Sequence, residues 1–298
     1  MRYARTGDAA DRAFVEKCLR YVIGTETRNS TDGTSTGDGL LSTMRNLPAF
    51  ILSADFIGLD KSLTGSRSGW TSTSWGTWIG SLRTKTIGSH GRWNQIVATS
   101  IDSASNWGAA AMASRTMIAL YLDDVDTALV NHWRRWMGDA SYGVDFKSTS
   151  SFDSSWACTA GETWPSGSVR RPINTNACGP DKAGIVVEDL SRSSGSYPNY
   201  DETGRSYANE HLGFILTAAI AMKRAGYPVE TWGASPSAPS TLRLAGDWVQ
   251  RKGFWPQLGP SAIHSGLPWT FNHLLGTSYA TNAPVMGRMV SYADWWGR

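Results

Sequence analysis

One stretch constrains the fold more than any other: Ser105-Asn106-Trp107-Gly108-Ala109-Ala110-Ala111-Met112-Ala113-Ser114-Arg115-Thr116. Asparagine favours helix starts, because its side chain can accept from free backbone N–H groups, so Asn106 predicts the mouth of a helix. The small or apolar positions 107, 110, 111, 114, 118 and 121 keep helical spacing. The pair Asp123-Asp124 marks the end near Leu122. A helix with so small a body packs closely on its neighbours and offers polar chemistry only at its end.

Helical patterning recurs along the chain. Asp8 to Thr25 reads as an amphipathic helix with Phe14, Cys18, Tyr21 and Val22 on one side. Further helices are expected over Met44 to Leu59, Thr77 to Ile87, Val125 to Met137 (closed by Gly138) and Thr241 to Lys252. A long one spans Arg205 to Ala225, stopped by Gly226 and Pro228. Ser62 to Ser74 is Ser/Thr/Gly-rich and reads as a surface excursion. Asp139 to Thr203 lacks helical period, and a loop that long in a compact domain is usually functional. It is expected to be an ordered cover over a cleft. No linker divides residues 1–298, so the expectation is one all-α domain of antiparallel helical hairpins with long ordered loops.

Bulk properties exclude several classes. Hydrophobic residues make up 41% of 298, enough for a sizeable core. A net charge of +3 with no Lys/Arg block argues against nucleic acid, while leaving room for an acidic polymer at a locally basic cleft. No apolar run approaches the roughly 20 residues that span a bilayer, so no membrane insertion is expected. Met1 to Arg20 is polar and charged, unlike a signal peptide. Among three cysteines, Cys18 reads as a buried apolar residue, and Cys158 and Cys178 bracket a loop suited to a disulfide. No CxxC or HxxxH spacing occurs, so no structural zinc is expected. The outlier is tryptophan, at 15 residues. Some belong in the core, but as a set they favour a saccharide partner, because a flat indole stacks on the apolar face of a sugar ring.

Two further clusters carry chemistry. In Tyr200-Asp201-Glu202-Thr203-Gly204-Arg205-Ser206-Tyr207-Ala208-Asn209-Glu210-His211, Tyr207 and His211 lie four apart and share a helix face. Arg205 lies in the first turn on a neighbouring face, so one helix end presents a cation, a phenol and an imidazole. A satisfied buried His beside a packing Tyr is the structural alternative. Near the C-terminus, Trp269-Thr270-Phe271-Asn272-His273 adds a second imidazole beside an amide.

Several of these segments, taken in order, resemble the alginate lyase superfamily. They are the Asn106-Trp107-Gly108 helix start, Ile118 to Asp124, the Cys-bearing loop and Gly184-Ile185-Val186-Val187-Glu188-Asp189-Leu190-Ser191-Arg192. Glu202 to Gly213, Asn272 to Ser278 and Ser291 to Trp295 complete the series. Each motif is loose; the specificity lies in their order over about residues 45–298. Members of that family adopt an incomplete α/α toroid and cleave uronate-containing polysaccharides. Similar modules occur in tail proteins of phages that infect actinobacteria, which suits a chain without a signal peptide. The resemblance therefore implies a lyase for an acidic polysaccharide, virion-associated or released to act at the host surface, with other tail proteins as partners and no cofactor.

The implied reaction is β-elimination. The C5 proton of a uronate is a very weak acid while the neighbouring carboxylate is charged. An enzyme must neutralise that carboxylate, remove the proton and protonate the departing O4. By resemblance, Asn106 and Arg205 neutralise, as preorganised donors facing developing negative charge. Tyr207 or His211 moves the protons. Trp107, Trp164, Glu188, Tyr200, Glu202 and His273 are the candidate substrate contacts. This chain has Trp107 where such lyases carry a histidine, which leaves His211 or His273 to take over as base. Two other functions compete. Glu188, Asp189, Asp201 and Glu202 could supply the carboxyl pair of a glycoside hydrolase, and a non-catalytic tail module could bind glycans through tryptophan alone.

Overall fold

The computed structural model describes residues 6–26, 39–88, 93–139, 146–147, 169–170, 173, 183–186, 189, 202–234, 239–251 and 267–279. These are predominantly helical. The helices are α1 (Ala9–Val22), α2 (Gly39–Phe56), α3 (Trp75–Leu82), α4 (Ile96–Asp102), α5 (Asn106–Leu122), α6 (Thr127–Trp136), α7 (Glu202–Arg224), α8 (Thr241–Arg251) and α9 (Leu267–Leu275). A two-stranded antiparallel ladder pairs Phe146 with Arg170 and Lys147 with Val169. Among the described residues no helix is long and apolar enough to cross a membrane. Cys158 and Cys178 lie outside the described residues.

The chain forms two compact units. The first comprises the described parts of Met1–Thr99 and Ala111–Asp124, and the second those of Ser100–Ala110 and Val125–Arg298. The first turn of α5 thus belongs to the second unit and its remainder to the first.

In the first unit α1 packs on α2. Asp8 caps α1, its carboxylate accepting from the Ala10 N–H at 2.8 Å. The buried side of α1 runs through Leu19 to Ile23 beyond its end. Phe14 and Tyr21 are 68% and 52% exposed, and Cys18 is exposed as well. The expected apolar face of this helix is therefore its outer one, and Cys18 is not a core residue. The reason is rotational: one turn of helix offered two partly apolar stripes, and packing against α2 selected the other. Helix α2 contains Pro48, which has no N–H for the Met44 carbonyl one turn earlier. The Ser114 hydroxyl of α5 donates to that carbonyl at 3.1 Å, so the backbone group stays satisfied in the core.

Helix α5 is buried all round through its first turns: Ala109 to Ser114 have no exposed side. A helix surrounded on every side needs small side chains rather than one apolar stripe. Its end is a reversed turn. Asp123 is left-handed at φ 59°, with its N–H donating to Leu120 O at 3.3 Å and the Asp124 N–H to Ala119 O at 3.0 Å.

In the second unit α7 packs against α9, and α8 packs against α9. Lys223, in the last turn of α7, donates to the Leu274 carbonyl at the end of α9. The segment Ala183–Val186 is buried, and Arg251 of α8 donates to the Ala183 carbonyl at 3.3 Å. Gly184 is left-handed, and a Cβ there would overlap the Leu244 carbonyl, so only glycine lets the segment lie on α8. Two helices were not expected from sequence. Ile96–Asp102 is rich in β-branched and Ser/Asp residues of low helix propensity. In Leu267–Leu275, Pro268 lies in the first turn, where its missing N–H costs nothing.

Candidate functional site

The site is built around the N-terminus of α5. Ser105 is the residue that caps it: its hydroxyl accepts from the Trp107 N–H at 3.3 Å and lies 2.9 Å from the Ser103 hydroxyl. Asn106, expected to cap the helix through its side chain, is instead the first helical residue. Its own N–H donates to Asp189 Oδ1 at 2.9 Å, and its side-chain amide donates to Glu210 Oε2 at 2.7 Å. Gly108 permits this tight start, because a Cβ there would overlap the Ser103 carbonyl.

Asp189 is fully buried and links two elements. While Oδ1 accepts from α5, Oδ2 lies 2.9 Å from His211 Nδ1 on α7. The positive end of the α5 dipole favours a negative charge at this place. An ionised carboxylate only accepts hydrogen bonds, so the proton between the two groups belongs to His211 Nδ1. That assignment leaves Nε2 as the imidazole's second nitrogen, with no hydrogen-bond partner among the described residues although it is buried. A neutral His211 therefore presents a bare lone pair at Nε2. Its ring packs on Trp136, centroids 5.4 Å apart and tilted by 34°. Asn106, Asp189 and His211 are each at most 1% exposed, so the cluster is shut off from solvent.

Asn106 and His211 are thus brought together through Asp189. Tyr207 stands one turn before His211 on α7 and is half-buried. Arg205 and Glu202 lie in the first turn of α7, where only the backbone is described. Trp164, Glu188 and Tyr200 lie outside the described residues, as do Trp156 and Asp201. Trp107 is only 6% exposed, so its indole has no free face for a sugar ring and serves as core. His273 is exposed on α9. Its neighbour Asn272 holds the turn that follows α9. The Asn272 side-chain oxygen accepts from Thr277 Oγ1 and from the Tyr279 N–H, both at 2.7 Å. Among the described residues no group of three or more His, Cys, Asp or Glu side chains is arranged to hold a metal ion.

Asp189, expected as a possible member of a hydrolytic carboxyl pair, is fully buried with Oδ1 on the Asn106 N–H and Oδ2 on His211 Nδ1. The residues that sequence reasoning passed over are Glu210, Trp136 and His132. Glu210 adjoined a cluster already singled out. Trp136 and His132 gave no local signal, because nothing in α6 marks which side faces α7. Compared with family models, with curated proteins and with solved structures, the chain matches none of them.

Proposed function

We propose that the chain is a polysaccharide lyase on an incomplete α/α toroid, cleaving an acidic, uronate-containing polysaccharide by β-elimination. It acts as a virion-associated or released depolymerase on a host surface glycan, a setting that rests on the family resemblance alone. The observation that carries the chemistry is the Asp189–His211 pair, with Nε2 unpartnered among the described residues. A base must be oriented, held in the tautomer that leaves its working nitrogen bare, and fixed in place before substrate arrives. Asp189, anchored on the N-terminus of α5, sets the tautomer and ties Nδ1 of His211.

In the reaction, His211 Nε2 takes the C5 proton, the C–H pair becomes the C4–C5 double bond, and the C4–O4 bond breaks. Tyr207, on the same face of α7, delivers a proton to the departing O4. Arg205 neutralises the uronate carboxylate. Asn106 has a changed part. Its amide donates to Glu210, so it acts by holding Asp189 and Glu210 in place as well as by facing substrate. Because Nε2 is buried, polymer binding has to uncover it, a gating step of the kind that closed sites commonly use.

The test is a panel of uronate polymers incubated with the full chain while ultraviolet absorbance of the unsaturated product is followed. Rising absorbance that is lost in His211→Ala is the expected result. New reducing ends without absorbance would mean hydrolysis, and binding without cleavage would mean a glycan-recognition module; either result overturns the lyase assignment.

A further inference from the structure

The C-terminal part of α6 carries His132, Arg135 and Trp136 on one side, and the ring of Trp136 packs on His211. Trp136 Nε1 donates to His132 Nε2 at 3.1 Å, and Arg135 Nη2 approaches the same nitrogen at 3.4 Å. That guanidinium nitrogen also donates to the Ile101 carbonyl at 3.2 Å, at the end of α4 and just before the Ser103–Asn106 turn into α5. Indole N–H and guanidinium groups are donors only. His132 Nε2 is therefore the unprotonated nitrogen and the ring proton sits on Nδ1. His132 and Trp136 are both buried, so the bond between them is not exchanged for water.

The indole is thus fastened at its nitrogen and lies with its ring against His211. Asp189 alone would hold His211 by one bond at Nδ1. The second side-chain torsion of histidine is broad, so a ring tied at one atom can still swing. A flat wall against one face of that ring restricts the swing.

We infer that Trp136 is a positioning residue for His211, and that His132 is what fixes Trp136. The chain His132–Trp136–His211–Asp189 sets the direction in which Nε2 points. A plain packing role would need only the volume of the indole, whereas positioning needs the acceptor on His132. The kinetic consequence rests on the lyase reading; the spectroscopic consequence does not.

The experiment uses the full chain with ¹⁵N-labelled histidine, recording imidazole N–H signals and their exchange with solvent, alongside turnover of a uronate polymer. His132→Leu removes the acceptor, Trp136→Phe removes the donor while keeping a ring, and His132→Gln offers a side-chain oxygen near the place of Nε2. In the wild type the His211 Nδ1–H is expected as a slowly exchanging signal. His132→Leu and Trp136→Phe should each speed that exchange about tenfold and lower kcat about tenfold with KM within about twofold, the scale on which small misorientation acts. His132→Gln should restore both. Circular dichroism establishes that each variant is folded, and Trp136→Phe still decides the matter if His132→Leu is not. Unchanged His211 exchange in folded Trp136→Phe overturns the inference, as does a His132→Gln variant as defective as His132→Leu. If the wild type cleaves no uronate polymer, the lyase assignment falls while the imidazole signals still decide the positioning.

Discussion

Replacing Asp189 separates what this carboxylate does for the fold from what it does for the site. In Asp189→Ala two buried donors lose their acceptor: the Asn106 N–H and the His211 Nδ1–H, each 2.9 Å from it in the native chain. Each orphaned buried donor costs about 1–3 kcal/mol, and losing a negative charge at the α5 terminus adds about 0.3–1 kcal/mol. Removing a buried carboxylate also removes its desolvation cost, which offsets part of the sum. The expected net loss is about 3–4 kcal/mol, within the usual range for breaking a buried pair. Asp189→Asn is different. Its one side-chain oxygen can keep the Asn106 N–H, but its NH2 then faces His211 Nδ1. The imidazole proton must move to Nε2, which fills the lone pair needed by the reaction. This variant should lose only about 1–2 kcal/mol yet fall in turnover by on the order of 10³–10⁴, the scale of a wrong-tautomer change in a carboxylate–histidine pair. Denaturant unfolding of both variants, with initial rates on a uronate polymer, makes the comparison. A loss below about 1 kcal/mol in Asp189→Ala would refute the claim that Asp189 holds α5 to α7. An Asp189→Asn enzyme within tenfold of wild-type turnover would refute Nε2 as the base.

Three other perturbations probe separate contacts. Ser114→Ala leaves the Met44 carbonyl without a donor in the core, so it should lose about 1–3 kcal/mol in denaturant unfolding; a smaller loss than Ser53→Ala, whose hydroxyl only bonds its own helix, would contradict this. Gly108→Ala forces its new methyl group onto the Ser103 carbonyl, and should cost about 2–4 kcal/mol, whereas an unchanged midpoint would mean the start of α5 yields freely. Tyr279 donates to Asp247 Oδ1 at 2.7 Å, and burial first, then this bond and the Asp247 charge, raise its pKa well above the usual tyrosine value. A group raised on folding stabilises fully below its unfolded pKa near 10 and loses that contribution as pH climbs through the folded value. Wild-type stability should therefore hold to about pH 10 and decline above it by up to about 1 kcal/mol, since the phenol is half-exposed. Tyr279→Phe should be weaker by a similar amount at pH 8 and lack that component; parallel pH curves for the two would disprove the assignment.

Local chemistry written into the chain settles most of the helices and very little of their facing. The helix over Asn106–Leu122 was legible, because a helix closes its bonds within a turn and its ends are local chemistry, although the cap proved to be Ser105 rather than Asn106; Asp123 turns left-handed at the other end. The His211 helix was legible for the same reason. Local signals failed for Ile96–Asp102, whose weak propensity is overridden by packing, and for the outer face of α1, where Phe14 and Tyr21 pointed the pattern the wrong way. Nothing short of the folded core reveals that Asp189 caps a helix 83 residues earlier while holding His211, or that Trp136 supplies the wall behind that ring. Such pairings are fixed by which faces the helices bury against one another. That choice depends on the summed packing of the whole core, and no window of sequence contains it.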